Sequence, residues 1–401
     1  MKKFSVYKQQ FLEIFGREWY TMYYRPLPTA LLYLAPLVFG LLFGAVYMQN
    51  TLEHIPIAIY DEDQSSLSRK LIQVYGDTEK FDIVAYPSTT EELQQLLATE
   101  AVQVGVEIPK DFSESIKLGH STEVALTINA ANNIIANSSI TSFEEDNRSF
   151  SVSVSQQLIE AYGIKPSEAM DAVYPVRLGT RILHNPTAGY TNFMLPGIVM
   201  NGLQISLLLT VAPLLTSVLR RKIYGSKYSV IILMAGKLIP YFITGIAAFI
   251  IAILEIQYLW DIPMRGSWLD LILLTAAYIF AIIGALSCFS AIALDELNAV
   301  QMQLLYIMPS LLYSGFSFPI MSMDGIGRAY AYTMPITYAA DTMRDIMLNG
   351  YAPKFWQSIA VLLKMGCICT LVACLAFYIR KKHLQKTRKQ LWKEYTANEA
   401  D

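Results

Sequence analysis

Long stretches without a single charged residue organise this chain. Thr29–Met48, Thr187–Leu219, Leu238–Leu254, Leu271–Leu294 and Leu297–Met323 carry none, and Phe355–Ile379 holds only Lys364. A helix needs roughly 20 apolar residues to cross a bilayer. The pattern therefore predicts six spans, at 29–49, 193–219, 237–257, 270–293, 299–321 and 356–379. Between the first two, the period changes. The segments IPIAIY (55–60), FDIVAY (81–86), VQVGVEI (102–108) and EVALTINA (123–130) read as strands. Ser65 and Ser66 are candidate N-caps for an amphipathic helix that aligns Leu67, Leu71, Ile72 and Val74. The segment STTEELQQLLATE has the Ser/Thr start and first-turn glutamates of a second helix. Residues 131–163 are polar and then helical in pattern. Strands alternating with helices predict a small α/β domain over 50–190. The expected class is an α-helical polytopic membrane protein with six transmembrane helices and an inserted extracytoplasmic α/β domain.

Composition agrees. Of 401 residues, 54% are hydrophobic and 16% charged, against about 25% charged in soluble domains. Charge also sets the expected topology. Lys2, Lys3, Lys8, Arg17 and Arg25 precede the first span. Arg220, Arg221, Lys222 and Lys227 follow the second, and Arg380, Lys381, Lys382, Lys386, Arg388, Lys389 and Lys393 follow the last. Such clusters mark the cytoplasmic side, so both termini are expected inside and residues 50–190 outside. The short loop at Asp295 and Glu296 does not add to this bias. Residues 50–190 hold nine Lys/Arg and twenty Asp/Glu, a formal −11, and the remainder carries +9. An acidic domain argues against nucleic-acid binding; a solubilising surface is expected, with basic or cationic partners as the alternative.

No catalytic or metal-binding motif is expected. Gly-rich phosphate loops, G-x-S-x-G and H-E-x-x-H are missing from the sequence. The acidic triplet at 61–63 lacks calcium-loop spacing. Cys288, Cys367, Cys369 and Cys374 all fall inside predicted spans, which reads as apolar filling and not as a disulfide framework. The first span, set back behind an aromatic-rich segment, is not expected to be a cleaved signal peptide.

Three further segments carry candidate roles. Residues 4–24 interleave bulky aromatics with Lys8, Glu13, Arg17 and Glu18, which suits a helix lying in the membrane interface. YIMPSLLYSGFSFPI (306–320) places Pro309 where a bend is permitted and Gly315 where helices can approach. From Pro335 to Leu348 the apolar Ile336, Ala339, Ala340, Met343, Ile346 and Met347 share one side of a helix, opposite Asp341, Arg344 and Asp345. Asp341 and Arg344 have the i,i+3 spacing of a pair, Pro335 suits the first turn, and Thr333 is a candidate N-cap.

The layout resembles the ABC-2 type (type V) ABC exporter permeases. The resemblance rests on IAIYDEDQSSLSRKL, VQVGVEIPKDFSESIKLG, LLYSGFSFPIMSMDGI and MPITYAADTMRDIML, and covers most of the chain. Two departures stand out. Met334 occupies a position where the family commonly has Asn, and residues 219–230 lack the family's glutamates. The resemblance implies a connecting helix in 1–28, a first span at 29–49, an extracytoplasmic domain at 50–190, four spans in 191–321, a re-entrant region at 322–355, a last span at 356–379 and a basic cytoplasmic tail at 380–401. It implies ATPase coupling through Arg17 and Glu18 and, in a loop at 219–230, through Arg220, Arg221, Lys222, Tyr224 and Gly225. It assigns Pro309, Tyr313, Gly315, Phe316, Phe318 and Pro319 to a translocation path or outer gate. It assigns Pro335, Thr337, Tyr338, Asp341 and Arg344 to the re-entrant helix. Lipid anchoring by the basic segments, packing in an aromatic belt and a plain surface helix are the alternative readings of these groups.

The sequence has no G-x-x-x-x-G-K-[ST], and AGKL at 235–238 lacks the flanking residues. This chain is thus expected to bind no cofactor and to be no enzyme, with ATP and Mg²⁺ held by a nucleotide-binding ATPase subunit. Other implied partners are a second copy or a sister permease, a periplasmic adaptor and membrane lipids. The expected location is the bacterial cytoplasmic membrane. The expected function is export of a hydrophobic or amphipathic compound. Export of an envelope polymer or glycolipid, and an envelope-sensing receptor, are the alternatives.

Overall fold

The computed structural model describes residues 2–24, 26–48, 52–175, 183–185, 189–221 and 228–398, with side chains at 2–5, 28, 220–221 and 388–398 excluded. The chain divides into two compact units. One comprises Met1–Asn50 with Ile182–Asp401, and the other Thr51–Arg181.

The first unit begins with α1 (Lys2–Tyr24) and α2 (Pro26–Val46). The inserted unit then supplies β1 (Ile55–Asp61), α3 (Ser66–Gly76), β2 (Phe81–Ala85), α4 (Thr90–Ala98), β3 (Val104–Ile108), α5 (Phe112–Lys117), β4 (Ala125–Ile128), α6 (Asn133–Glu160) and α7 (Pro166–Val173). The sheet order is β2-β1-β3-β4. β1 runs parallel to both β2 and β3, with Ile55 opposite Phe81 and Ile57 opposite Val104. β4 closes the edge antiparallel to β3, with Ile128 opposite Val104. Helices α3 and α4 make the crossovers that parallel neighbours require.

The DEDQSS turn explains how α3 begins. Asp61 Oδ1 accepts from the backbone N–H groups of Asp63 and Gln64 at 3.1 and 3.0 Å. Its Oδ2 accepts from the Ser68 hydroxyl at 2.7 Å. Ser65 Oγ then caps α3 by accepting from the N–H groups of Leu67 and Ser68. The triplet is therefore a turn-and-cap device. Among the described residues no group of three or more His, Cys, Asp or Glu is placed to hold a metal.

Alternation along β1 sends Ile57 and Ile59 to one face of the sheet, with Leu71, Tyr75 and Phe143. Ala58 goes to the other face, with Leu93 and Val102. On α6 the buried positions Ala136, Ser139, Phe143, Phe150 and Val154 make one stripe. Phe143 stacks on Phe81 at 4.2 Å and meets the edge of Tyr75 at 4.9 Å. Burying one such ring stabilises by about 1.5–3 kcal/mol. Tyr75 also donates its hydroxyl to Asn147 at 2.5 Å, which fixes the register of α6 on α3.

The first unit continues with α8 (Tyr190–Arg221), α9 (Val230–Trp260), α10 (Trp268–Ile292), α11 (Glu296–Ile307), α12 (Ser310–Tyr313), α13 (Gly325–Thr333), α14 (Pro335–Arg344) and α15 (Phe355–Asn398). Among the described residues five helices are long and apolar enough to cross a membrane: α2, α8, α9, α10 and α15. Helix α8 is the centre, since 83% of its apolar window is buried, against 22% in α2 and 17% in α15.

The fifth apolar run, expected as one helix over 299–321, is broken. Helix α11 stops at Ile307, α12 resumes after Pro309, and Gly315 leaves the helix at φ +86°. Proline cannot donate the next helical hydrogen bond, and a left-handed φ favours glycine. Residues 320–322 form a 3₁₀ turn instead of the end of a span. At 1.5 Å per residue α11 alone rises about 18 Å, and Glu296–Tyr313 end to end about 27 Å.

Candidate functional site

Two polar clusters lie at opposite ends of the helical unit. The first joins α1 to α9. Glu18 is 2% exposed and Lys237 is 7% exposed, and the Lys237 ammonium donates to Glu18 Oε2. The Tyr241 hydroxyl donates to the other carboxylate oxygen at 3.1 Å. One turn nearer the α1 start, Tyr228 donates to Glu13 at 2.9 Å. Buried charges need a partner, and here the partners come from positions 219 apart in sequence.

Glu18, expected to couple to an ATPase subunit, is buried, with its carboxylate held by Lys237 and Tyr241. Arg17, its neighbour, points outward. Arg220 and Arg221 end α8, and their side chains are not described. Lys222, Tyr224 and Gly225 lie outside the described residues. The sequence patterns do not single out Lys237 and Tyr241, because AGKL resembles only a fragment of a phosphate loop. A lone lysine seven residues into an apolar helix was the available signal.

The second cluster surrounds α14, where α8, α10 and α15 begin and α9 ends. Pro335 opens α14 as expected. The N-cap is Met334 and not Thr333, whose hydroxyl instead donates to Tyr330 O within α13. The apolar side forecast for this helix is buried: Ile336, Ala339, Ala340, Met343, Ile346 and Met347 are all core residues. Thr337 donates to Ala331 O at 2.7 Å and Tyr338 to Tyr332 O at 3.1 Å, tying α14 back to α13. Thr342 and Ser358 share a 2.8 Å hydroxyl contact that ties it to α15.

Arg344 donates to Asp341 at 2.7 Å. Its guanidinium also sits 4.6 Å from the Phe193 ring and 4.7 Å from the Phe316 ring. The two rings stack at 5.7 Å with planes 13° apart. A cation held against two faces gains from both ring quadrupoles. Phe316, assigned to a gate, is therefore 1% exposed and packed in the core. A methyl added at Gly197 would lie 2.4 Å from its ring. Of the other gate candidates, Tyr313 meets Tyr330 edge-on at 5.2 Å, Phe318 is exposed, and Pro319 precedes the 3₁₀ turn.

After Arg344 the helix widens into a π turn over Asp345–Asn349 and ends at left-handed Gly350. The loop before α10 clamps this turn. Arg265 donates its backbone N–H to Met347 O at 2.9 Å and its guanidinium to Leu348 O at 2.9 Å and to His184 O at 3.1 Å.

Between these ends, two buried polar clusters tie α8 to its neighbours. The Ser290 hydroxyl accepts from the N–H of Leu215, and Thr216 donates to Ser290 O. Higher up, Tyr278 donates to Gln204 at 3.0 Å and Gln204 to Ser310 at 2.7 Å. Glu255, which the sequence reading passed over inside the third span, packs against Gly40 of α2. Neither of its buried carboxylate oxygens has a hydrogen-bond partner among the described residues. The arrangement offers two anchored ends, with buried polar bonds at two levels of α8 between them.

Comparison with known proteins accords with these features. The sequence pattern of the family described as ABC-2 family transporter protein matches residues 29–375. The "Probable multidrug ABC transporter permease YbhS" of Escherichia coli (strain K12) is 29% identical over 185 residues, which cover 43% of this chain and 48% of that protein. The chain thus spans about half the length of that relative. "Probable multidrug ABC transporter permease YbhR" of the same strain is 22% identical over 315 residues, covering 77% of this chain and 82% of YbhR. "ABC transporter G family member 20" of Dictyostelium discoideum is 23% identical over 348 residues, covering 83% of this chain and 46% of that protein. With five long apolar helices among the described residues the chain is an integral membrane protein, and it belongs to the ABC-2 transporter family.

Proposed function

We propose that this chain is the permease subunit of an ATP-binding cassette exporter for hydrophobic or amphipathic compounds. The observation that carries the reading is the Glu18–Lys237 lock in a chain of the ABC-2 family. It ties a surface helix, α1, rigidly to a membrane helix, so a force applied at α1 reaches the bundle. The multidrug wording in the names of YbhS and YbhR supports the substrate class.

In this reading α11 and α12 together make a sixth, kinked crossing. Support comes from Arg380, which donates to Ala291 O and Leu294 O just before α11, and from Phe316, which packs on Phe193 at the far end of α8. The basic segments mark the cytoplasmic side of the bacterial inner membrane, with both termini there and the α/β unit outside. ATP and Mg²⁺ belong to a partner ATPase subunit, because this sequence lacks the phosphate loop. A second copy or a sister permease completes the path, and an adaptor and lipids are further partners. The translocation path passes the α12–α14 end, with Tyr313 and Phe318 accessible and the Arg344–Phe316 cluster behind them.

The test is ATPase activity in lipid vesicles, with the chain alone and with its ATP-binding partner. Activity that needs the partner and rises with amphipathic drugs is expected. A correctly assembled complex indifferent to every compound would refute the export reading.

A further inference from the structure

A cavity of about 670 Å³ opens between the start of α9 and the last third of the apolar part of α15. Its two ends differ in chemistry. One carries Lys381 and Lys382 beside Ser229. Ser229 is the N-cap of α9 and makes no side-chain cap hydrogen bond. The first N–H groups of a helix have no intrahelical partner and carry the positive end of its dipole. Lys381 donates to Tyr228 O at 3.1 Å, which holds its ammonium at this rim. Toward the other end Leu371 and Leu375 of α15 form the wall, and Ile231 lines it from the first turn of α9; all three are largely exposed. Tyr378 stands between the two ends. From Leu371 to Lys382 the wall extends about 16 Å at 1.5 Å per residue. That is about half of the 30 Å hydrocarbon core of a bilayer, or one leaflet.

We propose that this cavity is a binding site for one anionic phospholipid. The phosphate sits between Lys381, Lys382 and the N-terminus of α9, and an acyl chain lies along Ile231, Leu371 and Leu375. Anions are favoured at helix N-termini. An apolar wall that continues from the anion site toward the membrane favours a lipid over a free phosphate. The site lies on the helix that carries Lys237, two turns from the Glu18 lock. Lipid occupancy thereby steadies the start of α9 against α15. The inference rests on membrane embedding and not on the export reading.

The experiment is native mass spectrometry of the full chain released from detergent with dioleoyl-phosphatidylglycerol, dioleoyl-phosphatidylcholine or glycerol phosphate. One phosphatidylglycerol should be retained in preference to phosphatidylcholine, and glycerol phosphate should not displace it. Removing each lysine should weaken retention about fivefold, so Lys381→Gln with Lys382→Gln loses about thirtyfold. Lys382→Arg should keep the lipid, and Lys386→Gln, further along α15, should change retention less than twofold. Leu375→Trp, which fills the wall without touching charge, should also reduce retention. Equal loss in the Lys386→Gln variant would mean general surface attraction and overturn the proposal. Displacement by glycerol phosphate would mean a soluble-anion site and overturn it as well.

Discussion

Lys237→Met breaks the α1–α9 lock while keeping the length of the side chain. Glu18 then remains a carboxylate with 2% exposure and only the Tyr241 hydroxyl, at 3.1 Å, to stabilise it. Removing one partner of a buried pair costs about 3–5 kcal/mol, because the other charge is left uncompensated. The Tyr241 hydrogen bond offsets part of this, so the lower half of that range applies. For a helical unit of this size, about 2 °C of melting temperature per kcal/mol gives a fall of roughly 6–8 °C. Replacing both partners, Lys237→Met with Glu18→Leu, removes the buried charge altogether and is expected to be neutral or stabilising. The assay is thermal unfolding of the single and double variants in one detergent. Hydrogen exchange on α1 accompanies it, and should quicken in the single variant alone. A double variant as unstable as the single, or a single variant within 2 °C of wild type, would refute the argument that an uncompensated charge sets the cost.

Four other outcomes follow from the same geometry. Gly197→Ala puts a methyl 2.4 Å from the Phe316 ring and should cost about 1–3 kcal/mol, whereas Gly325→Ala, with nothing within 4 Å, should be silent by melting temperature. Arg344→Lys keeps the charge beside Asp341 but loses the planar stack on Phe193 and Phe316; a loss of about 1–2 kcal/mol in thermal unfolding is expected, and an unchanged melting temperature would count against the cation–π reading. Glu255→Met should leave the melting temperature equal or higher, because it removes a buried carboxyl without a hydrogen-bond partner among the described residues; a fall would assign that carboxyl a stabilising role. In the inserted unit, the Asp82 hydrogen bond holds the His54 imidazole above its ordinary value of 6.5. The pair therefore contributes fully below pH 6.5 and fades as pH rises through the raised value. Asp82→Asn should lower the His54 midpoint in an NMR titration, and no change would remove the pair from consideration.

What could be read from sequence was local. The strands of the inserted unit and its Ser65 cap follow from alternation and side-chain chemistry within a few residues; β2, β3 and β4 lie inside the segments that suggested them, and β1 runs one residue past its own, to Asp61. The buried face of α14 was equally visible, because six apolar side chains at helical spacing need a cover. The fifth apolar run was less so. Hydrophobicity alone does not separate a helix from an apolar turn, although Pro309 and Gly315 marked where the break falls. The ion pair was hidden for a different reason. Glu18 on an aromatic surface helix resembles a docking residue until a lysine from a distant helix is brought to it. Phe193, likewise, gains meaning only from Arg344 and Phe316.

The π turn at Asp345–Asn349 has a consequence for chain length. A π turn houses one residue beyond what an α-helix uses, and such bulges behave as single-residue insertions absorbed without breaking the helix. Deleting one residue from 345–349 would let α14 continue as plain α-helix. Because the π turn fits its extra residue into a single turn, the positions after it would keep nearly the same orientation around the axis. Gly350 would still face the Arg265 loop, and Phe355 would still enter α15 from the same side. A one-residue deletion within 345–349 is therefore expected to cost less stability than one inside Pro335–Arg344, where nothing absorbs the change of register.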